Sequence, residues 1–195
     1  MRVPNAEHES HPWRIREIAP DFELEDAWDL PVRGGADEFP ALVTVFASFD
    51  PSGGDSAAAR MLWRVRERLG VWFGWDEVIP GRAETSLRGN LPPDLCGSAD
   101  ARGFGSMPFV PVYRTDAEFA AELSNRTVHA VMHLGWLERP GGFYQGRLAV
   151  YVKPRGALGR VYMALIRPFR HSIVYPALLR RIERAWNTRV ADQRA

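Results

Sequence analysis

Residues 156–186 are GALGRVYMALIRPFRHSIVYPALLRRIERAW, a basic and aromatic-rich run with helical spacing. Apolar side chains recur at intervals of three and four residues, in two separate stripes. The first stripe comprises Leu158, Val161, Tyr162, Leu165 and Phe169, and the second comprises Tyr175, Leu178, Leu179, Ile182 and Trp186. The stripes are out of phase, and Pro168 and Pro176 each disfavour helix at the residue before them. The pattern therefore predicts two helical pieces with a kink or turn near Arg167 to Tyr175.

The composition is typical of one soluble globular domain. The chain has 195 residues, of which 46% are hydrophobic and 25% charged, enough for one sizeable core. Cys96 is the only cysteine, so no disulfide can form within the chain, and this favours a reducing compartment. The N-terminus lacks the apolar core of a signal peptide, and the longest apolar-leaning run, 41–49, is too short for a membrane span. We therefore expect a cytoplasmic protein.

Charge is unevenly distributed along the chain. Residues 1–154 carry 16 basic and 22 acidic side chains, whereas residues 155–195 carry 9 basic and 2 acidic ones. Such a basic segment can contact an anionic membrane, and it can equally be the solvated outer face of a helix lying on an acidic body. Nucleic-acid binding is not expected, because no nucleic-acid-binding motif accompanies the basic charge.

Strand patterns dominate the rest of the chain. Alternation of apolar and polar residues predicts extended segments at 13–18, 21–32, 109–113, 118–124, 127–136 and 143–153. Asp55 or Ser56 can cap a helix that runs to about Leu69, and residues 37–46 fit either a helix or a strand. Residues 80–108 lack periodicity and are either a mobile lid or structure that the pattern does not reveal. Residues 1–12 are expected to be a flexible lead-in to a single domain over 13–190.

Two segments, 118–124 and 127–136, predict a β-hairpin closed by Asn125-Arg126. With a two-residue loop, Leu123 faces Val128, Ala121 faces Ala130 and Phe119 faces Met132. The opposite face then pairs Glu122 with His129 and Glu118 with His133. These four side chains are candidates for a divalent metal site or an acid/base pair. The plain alternative is a solvent-exposed face with weak cross-strand charge pairing.

The terminal block also resembles a known family. The pattern Leu158-Gly-Arg-x-Tyr-Met-x-x-Ile-x-Pro-Phe-Arg-His-x-Ile-Val is similar to a bacterial domain-of-unknown-function family, DUF2867. Residues 26–31, Asp-Ala-Trp-Asp-Leu-Pro, resemble it more weakly. The resemblance implies a START-like or Bet v 1-like fold of the SRPBCC superfamily. That α+β fold is a helix grip, an antiparallel sheet packed around a long, here kinked, C-terminal helix.

Three functions follow from this resemblance and from the patterns above. The first is binding of a small apolar molecule between the sheet and the C-terminal helix, lined by Phe119, Met132, Trp136, Val150, Leu165, Phe169, Tyr175 and Leu178. The second is a cyclase- or hydratase-like enzyme that uses His129, His133 and Glu122 as acid/base groups. The third is a membrane-surface or protein-interaction module built on the basic segment 155–189. The sequence predicts neither a cofactor nor a bound metal.

Overall fold

The computed structural model describes residues 1–48, 86–99, 109–125 and 128–192, without the side chains of Leu158, Tyr162, Ile166 and Phe169. Within these ranges the fold is α+β, with one open antiparallel sheet of six strands. The strands are β1 (Arg2–Val3), β2 (Glu23–Gly34), β3 (Val110–Arg114), β4 (Glu118–Ser124), β5 (Val128–Arg139) and β6 (Phe143–Pro154). Their order across the sheet is β1-β2-β6-β5-β4-β3.

Helices cover both faces of this sheet. They are α1 (Asn5–Glu9), α2 (Ile15–Ile18), α3 (Phe39–Ala47), α4 (Gly156–Phe169) and α5 (Tyr175–Asp192), with a π-helical turn at Arg170–Val174. Short 3₁₀ turns lie at Ala36–Glu38, Leu87–Asn90 and Pro93–Leu95. None of the helices in the described ranges is long and apolar enough to cross a bilayer.

Two predictions for the N-terminal region are wrong. Residues 13–18 form α2 and its lead-in instead of a strand, because Ile15 and Ile18 bury one side at helical spacing. Residues 1–12 form β1 and α1 and lie against the sheet, with His8 buried, instead of forming a flexible lead-in. The ambiguous segment 37–46 is helical, since Pro40 occupies the first turn of α3. The helix predicted over 55–69 lies outside the described residues.

The alternation of side chains along the strands builds two apolar layers. One face of the sheet packs against α3 and α5 through residues such as Leu30, Met132 and Trp136. The other face, which includes Val131 and Tyr151, is covered by residues 3–19 and by Leu87 and Leu95. Because successive residues point to opposite faces, each strand contributes to both layers. The sheet is therefore enclosed on both sides, and neither face is left to solvent as a whole.

The β4–β5 hairpin has a longer loop than predicted. Ser124 pairs with His129, Leu123 with Ala130 and Ala121 with Met132, so the predicted partners are wrong by two residues. Asn125 closes the loop, because its side-chain oxygen accepts a hydrogen bond from the backbone N–H of Val128 at 2.9 Å. A shift of two residues leaves every side chain on its original face, since the side-chain period is two. The predicted assignment of residues to faces is therefore confirmed.

The predicted break between two α-helical pieces is confirmed and takes the form of a π-helical turn. Pro168 lies inside α4, the π-helical turn follows at once, and α5 begins at Tyr175. The second apolar stripe buries Tyr175, Ile182 and Trp186 against the sheet and α3. The indole of Trp186 donates to the carbonyl of Arg33 at 3.1 Å, which ties α5 to β2.

Candidate functional site

The predicted histidine face is buried, so the alternative of a solvent-exposed face is wrong. Glu118, Glu122, His129 and His133 are between 0% and 7% exposed. The N-terminal segment and the 86–95 segment lie over them. Charged groups removed from water require hydrogen-bond partners. Glu118 and Glu122 each have the same three kinds: a histidine, a hydroxyl and a backbone N–H.

Glu118 accepts hydrogen bonds from three directions. Nε2 of His133 lies 3.1 Å from its Oε2, the hydroxyl of Tyr113 donates to Oε2 at 2.8 Å, and the backbone N–H of Arg14 donates at 3.0 Å. Burial alone would raise the pKa of Glu118, but the bonds from His133, Arg14 and Tyr113 outweigh it and lower the pKa. Glu118 is therefore held as a carboxylate that anchors the segment before α2.

Glu122 repeats this arrangement two positions further along the same face of β4. His129 Nε2 lies 2.8 Å from Glu122 Oε2, and the hydroxyl of Ser86 and the backbone N–H of Leu87 donate to the carboxylate at 2.5 and 3.0 Å. Burial again opposes ionisation, and the hydrogen bonds again lower the pKa of Glu122 overall. Each Glu–His pair thus anchors one of the segments that cover the sheet, through hydrogen bonds to the backbone of that segment.

His8 belongs to the same buried layer, although its sequence context carried no signal of this. Its Nε2 lies 2.9 Å from the hydroxyl of Tyr151, and its ring stacks on Trp13 with centroids 5.3 Å apart. Burial, followed by the nearby His133 and Arg147, lowers the pKa of His8 to about 3. His8 is therefore neutral at physiological pH.

The two Glu–His pairs of the histidine face therefore position the segments that cover the sheet. The ring of Trp13 lies edge-on to His133 at 4.9 Å and covers it. A groove of about 580 Å³ lies on the outer side, and Trp13, Phe22 and Tyr151 are among its lining residues. Across the described ranges, no group of three or more His, Cys, Asp or Glu side chains could hold a metal ion. A catalytic role for His129, His133 and Glu122 stays a prediction.

A second polar cluster lies on the other face of the sheet, at the kink between α4 and α5. Asp26 on β2 is fully buried and accepts hydrogen bonds from Tyr175 at 2.5 Å and from Arg170 at 3.0 Å. His171 Nε2 lies 3.2 Å from the same carboxylate, and Arg170 also donates to the Tyr175 hydroxyl at 2.7 Å. Burial, together with the charge of Asp26, raises the pKa of Tyr175, although Arg170 opposes this.

Trp28 completes this second cluster. Its ring stacks on Tyr175 with centroids 4.7 Å apart, and His171 lies edge-on to it at 5.9 Å. The indole N–H is buried and has no hydrogen-bond partner among the residues that the structure describes. Buried polar groups are usually paired, so an orphaned donor marks a place where a partner is missing. We call Asp26, Trp28, Arg170, His171 and Tyr175 the Asp26 cluster.

The π-helical turn is what brings the Asp26 cluster together. Arg170 and His171 are its first two residues, and Tyr175 begins α5 directly after it. The widened turn directs all three side chains at one carboxylate, which a continuous α-helix would not do. Turns of this kind occur frequently at functional sites. Of the five residues, only Tyr175 was predicted as a site residue, because sequence periodicity does not show which strand residue a kink faces.

The predicted cavity-lining residues whose side chains are described lie in different environments. Phe119, Met132, Trp136 and Tyr175 are buried in the core, and Val150 and Leu178 are partly buried. Leu165 is wrong as a lining residue, because it is 65% exposed on the outer side of α4. The side chain of Phe169 lies outside the described part of the structure.

Comparison with known proteins gives a family and no activity. The family model described as a protein of unknown function, DUF2867, matches residues 18–177. The chain belongs to the DUF2867 family. No curated protein and no solved structure matches it. The DUF2867 match includes the whole Asp26 cluster and both Glu–His pairs, whereas His8 and most of α5 lie outside it.

Proposed function

We propose that this chain is a helix-grip domain of the START-like, SRPBCC type that binds a small, largely apolar molecule. The ligand lies between the sheet and the C-terminal helices, with its polar end at the Asp26 cluster. The order of elements supports this: β2 is followed by α3, then by the β3–β6 meander, and finally by a kinked helix packed on the sheet. In the described ranges, this order resembles that of a helix grip, in which an antiparallel sheet packs around a C-terminal helix.

The observation that carries the proposal is the unpaired indole N–H of Trp28 beside a cluster of donors. Arg170 and His171 are 15% and 22% exposed, so both are accessible from outside while they contact the buried Asp26. The carboxylate already has three partners, Tyr175, Arg170 and His171. What remains for a ligand are N–H donors. The bound molecule should therefore present a hydrogen-bond acceptor, such as a carbonyl or carboxylate.

The apolar side chains on this face of the sheet form two separate clusters, and this supports the proposed location of the ligand. The main core ends near Tyr175 and Leu148, and Met163 of α4 joins Val128 and Val152 in a separate small cluster. Val150 pairs with Asp26 across the sheet and lies between the two clusters. An apolar ligand bound over Val150 would join the two clusters into one continuous apolar layer. Small-molecule sites are usually lined by apolar side chains with a few polar groups.

The test uses dansyl-undecanoic acid, a fluorescent apolar chain that ends in a carboxylate. Saturable binding to the full chain is expected, with a weaker response to the methyl ester of the same probe. Trp28→Phe retains an aromatic ring but loses the fused pyrrole ring with its N–H, and should weaken binding by about tenfold, the value of one buried hydrogen bond. Arg180→Gln, at an exposed position of α5, is the matched control and should bind as the wild type does.

Two results would overturn the proposal. One is the absence of saturable probe binding together with native mass spectra that show only the bare chain. The other is equal affinity for the wild type and for Trp28→Phe. Thermal melting of each variant ensures that a loss of binding is not a loss of folding.

A further inference from the structure

The outer side of α4 exposes apolar side chains that the sequence pattern assigned to the interior. Val161 and Leu165 are 56% and 65% exposed, whereas Met163 on the opposite side is buried. With about 3.6 residues per turn, Ala157, Ala164 and Pro168 fall on the same exposed side. An amphipathic helix on a folded domain normally turns such a stripe towards the core. Here the stripe faces outwards.

Positive charge accompanies this apolar stripe. Residues 139–182 contain no Asp or Glu, and Arg160 and Arg167 lie along one edge of the stripe. Both arginines are exposed, although Arg167 also pairs with Glu25 at 3.3 Å. Exposed apolar side chains flanked by arginines, on a helix without acidic residues, are typical of helices that lie in the interface of a bilayer.

We propose that the outer side of α4 binds reversibly to the surface of an anionic lipid bilayer. Val161 and Leu165 would insert between the headgroups while Arg160 and Arg167 contact lipid phosphates. Each arginine near such a surface contributes about 1 kcal/mol, and two aliphatic side chains add a modest amount. Binding is therefore weak and salt-sensitive. This surface is separate from the Asp26 cluster, so the inference does not depend on the proposed ligand.

The experiment is co-sedimentation of the full chain with vesicles. Vesicles of phosphatidylcholine mixed with phosphatidylglycerol should pellet the protein at low salt, and phosphatidylcholine alone should not. Raising the salt concentration should release it, because the attraction is screened. Leu165→Glu should reduce partitioning by about tenfold, and Arg160→Gln by about fivefold. Val110→Glu makes the same chemical change at another exposed apolar residue and should bind as the wild type does.

A second measurement reports directly on α4. In a Cys96→Ser background, Leu165→Cys labelled with an environment-sensitive dye should show a blue shift only with anionic vesicles. Failure of the wild type to pellet at low salt would overturn the proposal, as would equal pelleting by Leu165→Glu. Retention on an acidic polypeptide without vesicle binding would assign the surface to a protein partner and would also overturn it.

Discussion

The backbone N–H of Arg14 donates to both carboxylate oxygens of Glu118, at 3.2 and 3.0 Å, across 104 residues of sequence. On the same face of the same strand β4, two same-face positions further on, the carboxylate of Glu122 accepts a hydrogen bond from the backbone N–H of Leu87 at 3.0 Å. Each carboxylate is backed by a histidine of β5. The two buried Glu–His pairs thus anchor the segments that cover the sheet.

Glu118→Ala should destabilise the fold by about 3 kcal/mol, because the substitution leaves Arg14 N–H, the Tyr113 hydroxyl and His133 buried without an acceptor. Urea unfolding measures the loss, and hydrogen exchange should show that residues 5–18 open first. Glu23→Ala removes an exposed carboxylate from β2 and should change stability by less than about 0.5 kcal/mol. Equal losses for the two variants would contradict the anchoring role.

Stability should fall as the pH drops below the ordinary pKa of histidine. The pKa of His8 is lowered from 6.5 to about 3 in the folded state. The unfolded chain therefore binds the proton first, so the contribution of neutral His8 is complete above pH 6.5 and is lost as the pH falls towards 3. From about pH 7.5 to about pH 5 the loss should be about 2 kcal/mol.

The control for this pH effect is His8→Gln, which does not titrate. Denaturant unfolding at a series of pH values should give a flatter profile for this variant over the same range. Below the ordinary pKa of glutamate, Glu118 and Glu122 add a further loss in both proteins, because the pKa of each is lowered in the folded state. If the wild type and His8→Gln lose stability in parallel at pH values above the ordinary pKa of glutamate, His8 is not the cause of the effect.

Gly135→Ala should displace the N-terminal segment. A Cβ atom at this position would lie 2.4 Å from the ring of Trp13, which cannot move without disturbing His8. Overpacking of this kind costs about 1–3 kcal/mol. The thermal unfolding temperature and the intrinsic tryptophan emission, to which Trp13 contributes, should both change. Gly89→Ala has no heavy atom within 4 Å of the new Cβ and should melt close to the wild type; a similar shift in both variants would refute the packing argument.

Asp26→Ala should cost about 3 kcal/mol, because it removes the only carboxylate that Arg170, His171 and Tyr175 share in the described cluster. The loss should appear in denaturant unfolding and as faster hydrogen exchange at the π-helical turn. Asp37→Ala removes an exposed carboxylate and serves as the reference. Unchanged protection of residues 170–175 in Asp26→Ala would show that the turn does not depend on this carboxylate.

Local patterns were sufficient for much of the fold. Helical spacing and two prolines located the break between Arg167 and Tyr175. Alternation placed β2 to β6 and sorted Glu118, Glu122, His129 and His133 onto one face. These features depend on neighbours within a few residues, so a single sequence contains them. In the β4–β5 hairpin the Asn125 side chain accepts a hydrogen bond from Val128 N–H across a loop longer than two residues. The predicted register was wrong by two residues, while the faces were right.

The sequence by itself determined the α+β class, the kink and the grouping of two Glu–His pairs, because periodicity decides which side chains share a face. Tertiary structure alone decided what lies against each face. It buried the histidines under residues 3–19, joined Asp26 to Arg170 and His171 more than 140 residues away, and turned Val161 and Leu165 outwards. Burial and long-range pairing depend on how layers stack, and residues so far apart in sequence carry no local mark of their contact.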